Sequence, residues 1–196
     1  MALPKGLTVE QDIIAQEFDL ADITGRDLDD DTIRKIGDAI IDYTRKRSAN
    51  NKGIGGKALR SPYSKEYQMS DEFKNAGKSA SDVNMRLTGE MLNSIDVLDV
   101  NDGNLIVGIE NDQAPKAHGH MTGKMGQAPK MKREFFGLTR SELKDILGKF
   151  KSDINSAPRA SLTFGELNNQ LTPAERRDVR TIGTIGSIFD IEENES

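Results

Sequence analysis

Ile33, Ile36, Ile40 and Tyr43 recur at helical spacing behind Asp29, Asp30 and Asp31, and Arg45, Lys46 and Arg47 follow them. Apolar residues three and four apart share one helix face, while carboxylates favour a helix start and cations its end. The pattern therefore predicts a helix from about Asp31 to Arg47 with an aspartate as its N-cap. A second periodic run, Leu143, Ile146, Leu147, Phe150 and Ile154, has offsets 0, 3, 4, 7 and 11 and follows Thr139-Arg140-Ser141-Glu142. Thr followed three residues later by Glu is a capping box, so a closing helix is expected over 139–154.

Between these helices the period changes from about four to two. Ile95 to Val100 and Leu105 to Ile109 are rich in β-branched residues, and Asn101-Asp102-Gly103-Asn104 separates them. Asp-Gly between two such runs is a strong hairpin signal, because both central residues of the favoured turn need positive φ. Just before it, Thr88 can cap a short helix over 89–94 that turns Leu87, Met91, Leu92 and Ile95 inward. Thr8 and Gln11 form a further capping-box spacing with Ile13, Ile14 and Phe18 nearby, and predict a short N-terminal helix. Pro62 precedes a helical stretch from Ser64 to Ala76 with Tyr67 and Phe73 as its apolar members. Together these elements predict an α+β fold: a small antiparallel sheet with a central hairpin, flanked by helices and carrying extended N- and C-terminal arms.

Residues 48–56 are rich in Gly and Asn and read as a flexible loop. Residues 111–130 read as a second, longer loop. Near the C-terminus, Thr172-Pro173-Ala174-Glu175 is another helix-start signature, and Ile182, Ile185 and Ile188 recur every third residue among glycines as apolar points on an arm. The expected organisation is an acidic N-terminal arm over 1–30, an α+β body over 31–155 and a C-terminal extension over 156–196.

Charge sharpens this division. Residues 1–31 carry nine acids against two bases, residues 32–160 carry 22 bases against 16 acids, and residues 161–196 carry seven acids against three bases. The formal total of -5 thus hides a basic body between acidic ends, a polarity suited to docking on another copy or another protein. The 196 residues include no cysteine and only two histidines, which excludes disulfides, thiolate metal sites and cysteine nucleophiles. The chain shows no apolar run of membrane-spanning length, and its start lacks the apolar stretch of a secretory signal. The protein is therefore expected to be made in the cytoplasm and not to enter a membrane.

His118-Gly119-His120 is the one pairing suited to a metal, and on extended backbone the two imidazoles can share an ion with Asp112 or Glu110 as a third ligand. A loop histidine pair without helical spacing and a glutamate is more commonly polar surface, so no metal ligand is assigned. Gly53, Gly55 and Gly56 near Lys52 and Lys57 lack the closing Gly-Lys-Ser/Thr of a phosphate loop. Lys116, Lys124, Lys130, Lys132 and Arg133 form a basic stretch able to meet phosphates, but no aromatic residue lies within the loop for bases to stack on. A nucleic-acid-associated, metal-dependent enzyme or binder using the 116–133 loop with His118 and His120 is the alternative functional reading.

Pro62-Tyr63-Ser64-Lys65, then Leu87-Thr88-Gly89-Glu90-Met91-Leu92-Asn93-Ser94-Ile95, the hairpin, Ala117-His118, and Arg133-Glu134-Phe135-Phe136-Gly137-Leu138-Thr139 stand in this order. Over about residues 60–150 the order resembles the virion-morphogenesis proteins of tailed phages, also called tail-completion or head-tail joining proteins. Glu134 stands where that family often has proline, and residues 1–30 and 155–196 lie outside the resemblance. The resemblance implies a structural virion protein, without enzymatic activity or cofactor, that forms a homo-oligomeric ring at the neck. There it completes the tail and joins it to the head. Six subunits is the order typical of tail-end rings and twelve of portal adaptors. The implied partners are portal-adaptor, neck and tail-tube proteins, with non-specific contact to packaged DNA. Interface candidates are His118, His120, Lys124, Lys130, Arg133, Ile182, Ile185 and Ile188.

Overall fold

The computed structural model describes residues 4–59, 63, 65–77, 79, 89–125, 128–129 and 132–160. Its centre is a four-stranded antiparallel sheet of β1 (Leu7–Val9), β2 (Ile14–Asp19), β3 (Asp96–Asn101) and β4 (Asn104–Ile109), in the order β1-β2-β4-β3. The expected hairpin is β3-β4, with Asn101 opposite Asn104. Its turn residues Asp102 and Gly103 both have positive φ, 47° and 80°, the geometry that matches the twist of the flanking strands. A bulge between Val97 and Asp99 shifts the register, so Val97 and Val100 both face the helices.

One face of the sheet is the core. Ile14, Gln16 and Phe18 of β2 stand opposite Ile109, Val107 and Leu105 of β4, and all six are buried. The helix α2 (Asp30–Ala49) covers this face and buries Ile33, Ile36, Gly37, Ile40, Ile41 and Thr44, the stripe its sequence period predicts. The Asp29 carboxylate accepts from the Thr32 N–H at 2.7 Å, satisfying one of the unpaired donors at the helix start. Gly37 sits where helix and sheet approach most closely: a Cβ there would lie 2.6 Å from Val97 Cγ2.

The closing helix is present in two pieces, α7 (Arg140–Leu147) and α8 (Lys151–Ser156), joined by a 3-10 turn over Gly148–Phe150. The Thr139–Glu142 capping box forms as expected. Of its apolar stripe, Leu143, Ile146, Leu147 and Ile154 are buried and Phe150 is half-buried, because the 3-10 turn rotates it off the face.

Four expectations require correction. The segment at Thr8 is strand, not helix: Leu7, Thr8 and Val9 pair with Gln16, Ala15 and Ile14, so residues 7–24 contribute β1, β2 and the short helix α1 (Leu20–Thr24) to the body and are not an arm. Period-two burial of Ile14, Gln16 and Phe18 against β4 prevails over the local capping signal. The stretch 64–76 holds two short helices, α3 (Lys65–Gln68) and α4 (Asp71–Asn75), because the Ser70 hydroxyl caps the second at the Phe73 N–H, 3.2 Å away. The 111–130 loop contains α6 (Ala114–Thr122) and the two-residue strands β5 (Lys124–Met125) and β6 (Ala128–Pro129). Pro115 sits in the first turn of α6, where its missing N–H costs nothing, and Gly123 ends the helix at φ 76°.

The fourth correction concerns the 48–56 loop, which is tied down. Gly53 N–H donates to Lys57 O at 2.6 Å, Ile54 N–H to Glu134 O at 2.9 Å and Leu59 N–H to Asn51 O at 2.8 Å. Gly55 and Gly56 adopt φ of 65° and 71°, so glycine here serves a fixed left-handed turn. The short helix α5 (Glu90–Asn93) starts from Gly89 at φ 91° with no side-chain cap, while Thr88 lies outside the described residues. Arg45 closes the other end of α5, donating from Nε to Leu92 O at 3.0 Å and from Nη2 to Asn93 O and Ile95 O, each at 2.9 Å. Among the described residues no helix is long and apolar enough to cross a membrane.

Candidate functional site

The closing motif is assembled around a buried ion pair that joins distant parts of the sequence. Arg47, in the last turn of α2, donates from Nη1 to Glu142 Oε1 at 2.7 Å, and from Nη2 to Phe135 O at 2.8 Å and Gly137 O at 2.9 Å. Glu142 Oε1 also accepts from the Tyr43 hydroxyl at 3.1 Å. Its Oε2 accepts from Gly55 N–H at 3.1 Å and from both Thr139 N–H and Thr139 Oγ1 at 2.9 Å. The two side chains are 3% and 8% exposed, and six donors and acceptors fixed by the fold offset part of the desolvation of both charges, while Arg47 Nε is buried without a hydrogen-bond partner. Burial alone would raise the Glu142 carboxyl, but the Thr139 backbone bond and the Arg47 guanidinium outweigh it and hold the group below its ordinary value. Burial, then the adjacent carboxylate, pushes the Tyr43 hydroxyl up.

Arg133-Glu134-Phe135-Phe136-Gly137-Leu138-Thr139 acquires a physical account from this network. Phe135 and Phe136 are buried side by side, with ring centroids 6.4 Å apart. Gly137 has φ 109°, a conformation that side-chain-bearing residues rarely adopt. Leu138 bonds to the buried Gln16 side chain: its N–H donates to Gln16 Oε1 at 2.7 Å, and its carbonyl accepts from Gln16 Nε2 at 3.2 Å. Thr139 then opens α7.

This construction brings together the described parts of two acid-free stretches of sequence. From Tyr43 to Lys65 there are seven Lys/Arg and no acid, and from Gln113 to Arg133 there are five Lys/Arg and again no acid. Gly53–Leu59 and Lys132–Glu134 meet in an open groove of about 370 Å³ lined in part by Lys57, Lys132, Arg133 and Glu134. Lys52 lies beside it, bridged to Ala58. The groove and its rim thus bring together Lys52, Lys57, Lys132, Arg133 and Glu134, with Glu134 paired to Lys132 at 2.6 Å.

The opposite face of the sheet has the opposite sign. The four strands of this sheet carry four acids and no Lys or Arg, and the register puts all four, Glu17, Asp19, Asp96 and Asp99, on the face away from α2. Asp19 caps α1 through Asp22 N–H at 2.8 Å, and Asp96 accepts from Val97 N–H at 2.8 Å. Glu17 and Asp99 are exposed and stand on either side of the half-buried Ile106, their partner in both strand pairs.

The residues singled out from the sequence do not form one site. His118 and His120 lie on α6, both half-buried, and two positions along a helix turn them about 200° apart, so they cannot share an ion as an extended pair can. Among the described residues no group of three or more His, Asp or Glu is placed to hold a metal. Lys124 is exposed in β5. Arg133 is a tether, not a mobile loop cation: it is half-buried, its guanidinium stands 5.2 Å from the Tyr63 ring centroid, and burial lowers its pKa. Tyr63, Tyr67 and Phe73 in turn pack with centroids 5.2 to 5.4 Å apart, joining α3 and α4 to the groove wall. Lys130, Ile182, Ile185 and Ile188 lie outside the described residues. The sequence reading missed the Arg47–Glu142 pair and the single-signed sheet face; the signal available for the second was the absence of bases from 7–9, 14–19, 96–101 and 104–109. No family model, curated protein or solved structure matches the chain.

Proposed function

We propose that the protein is a structural virion component of a tailed phage, forming a ring at the neck that completes the tail and joins it to the head. The observation that carries this reading is the use the fold makes of the 133–142 segment, part of the order of motifs that resembles tail-completion proteins. Its phenylalanines fill the core, its glycine makes the turn, its threonine starts the closing helix, and its buried Glu142 is bonded to Arg47 of α2 and holds those elements together. Ionisable groups committed to internal bonds suit an assembly part, whereas catalysis needs groups free to exchange protons with a substrate. The two oppositely charged faces give such a subunit distinct surfaces for its neighbours, as a closed ring of identical copies requires.

The test is made in the phage that encodes the chain. A nonsense mutation early in its gene is expected to leave filled heads and free tails unjoined, and purified protein added to that lysate restores infectious particles. Negative-stain images of the purified protein are expected to show closed rings, six subunits being the expected order. Normal virions formed without the protein would refute the proposal.

A further inference from the structure

We infer that the open face of the sheet, centred on Glu17, Ile106 and Asp99, docks on the basic groove of a second copy of this chain, built by Gly53–Leu59 and Lys132–Glu134. This inference deepens the ring-forming reading and rests on it.

The sheet face has an ordinary explanation that covers only part of it. Carboxylates on the edge strand β3, together with its bulge, discourage edge-to-edge pairing. Asp19 and Asp96 have local bonds of their own. Glu17 fits neither account: β2 lies between β1 and β4, the Glu17 N–H is already bonded to Gly6 O at 3.0 Å, and the Glu17 side chain is exposed. Opposite charges across strands stabilise a sheet, and a solvent-facing row has room for them, yet every ionisable side chain in these strands is acidic. Glu17 and Asp99 are two strand spacings apart, about 9–10 Å, far enough to limit their repulsion and to admit one cation each on either side of Ile106.

The groove supplies the complement. It lies with the segments packed on α2 and α7, on the helical side of the molecule, whereas the four carboxylates face away from α2. One copy therefore cannot satisfy itself, and a contact using both patches is heterologous, the kind that closes into a ring when its rotation allows. Lys52 and Lys57 are exposed, and their aliphatic stems can lie along Ile106 while their ammonium groups reach Glu17 and Asp99.

Sedimentation velocity on the full-length chain tests this with two charge reversals at exposed positions: Glu17→Lys with Asp99→Lys, and Lys52→Glu with Lys57→Glu. Wild type is expected to assemble, more weakly at high salt, and each double variant is expected to remain monomeric with an unchanged circular dichroism spectrum. Mixing the two variants in equal amounts should then restore assembly, since each supplies the face that the other's altered face now fits. A mixture that stays monomeric would overturn the inference. If both variants assembled like wild type, the interface would lie elsewhere and the ring reading would survive, whereas a monomeric wild type would remove both. If the groove variant lost binding to duplex DNA while assembling normally, the groove would belong to nucleic acid and the inference would be wrong.

Discussion

Arg47 and Glu142 take two charges out of water, and each is stable there only while the other remains. Arg47→Met leaves the Glu142 carboxylate buried without its countercharge and frees the carbonyls of Phe135 and Gly137; a loss of about 3–5 kcal/mol in urea unfolding is expected. Adding Glu142→Leu removes the orphaned charge, so the double variant should lose less than the sum of the two single losses. The same group sets an acid limit. Glu142 has a folded-state pKa below its ordinary value of 4.5, so its contribution is fully present above that value and disappears as pH falls through the folded one. Stability should therefore drop on acidification below about pH 4.5, with a shallower slope in Glu142→Gln, measured by urea midpoints across that range. The chain announces Glu142 as a capping residue and Arg47 as a last-turn cation, both correctly. That they bond across 95 positions follows only from the packing of α7 on α2, which no local pattern encodes.

At the scale of elements, burial separates residues that the sequence period treats as equivalent. Leu147 is 2% exposed and Phe150 only half-buried, so Leu147→Ala should cost about 2–5 kcal/mol and Phe150→Ala clearly less, whereas an unbroken helix would make both core. Gly37→Ala opposes two effects. Alanine gains about 1 kcal/mol in helix propensity, but its Cβ would press on Val97 Cγ2 at 2.6 Å with Leu105 behind it, an overpacking that costs about 1–3 kcal/mol. A net loss is expected from thermal or chemical unfolding. The elements legible in the sequence are those whose local and tertiary signals agree: α2 with its caps and isoleucine stripe, the Asp-Gly hairpin, and the capped start of α7. Those misread are the ones in conflict. The polar Gln16 interrupts the apolar alternation of β2, yet it is buried because it bonds Leu138 at both amide atoms. Pro115 and Gly119 look like helix breakers in α6, yet one sits in the first turn and the other is buried against its neighbours.

At the scale of the whole molecule, the described fold closes on itself near residue 160. Arg26 and Arg159 form a β-bridge, Asp27 N–H donates to Pro158 O at 2.9 Å and Ala160 N–H donates to Gly25 O at 3.1 Å, so the last described residues return to the start of α2. Truncation after residue 160 removes none of these bonds, and the shortened chain is expected to unfold with a midpoint close to that of the full chain. What it removes is 36 residues with seven acids, three arginines and the three evenly spaced isoleucines Ile182, Ile185 and Ile188. Set against another subunit or a tail protein, as the proposed function has it, these isoleucines can add contact area. Deletion of 161–196 is thus expected to leave the body folded by circular dichroism while lowering the yield of infectious particles in the complementation assay. A shortened chain that restored infectivity as well as full-length protein would remove any assembly role from the C-terminal segment and leave the proposed joining function to the body alone.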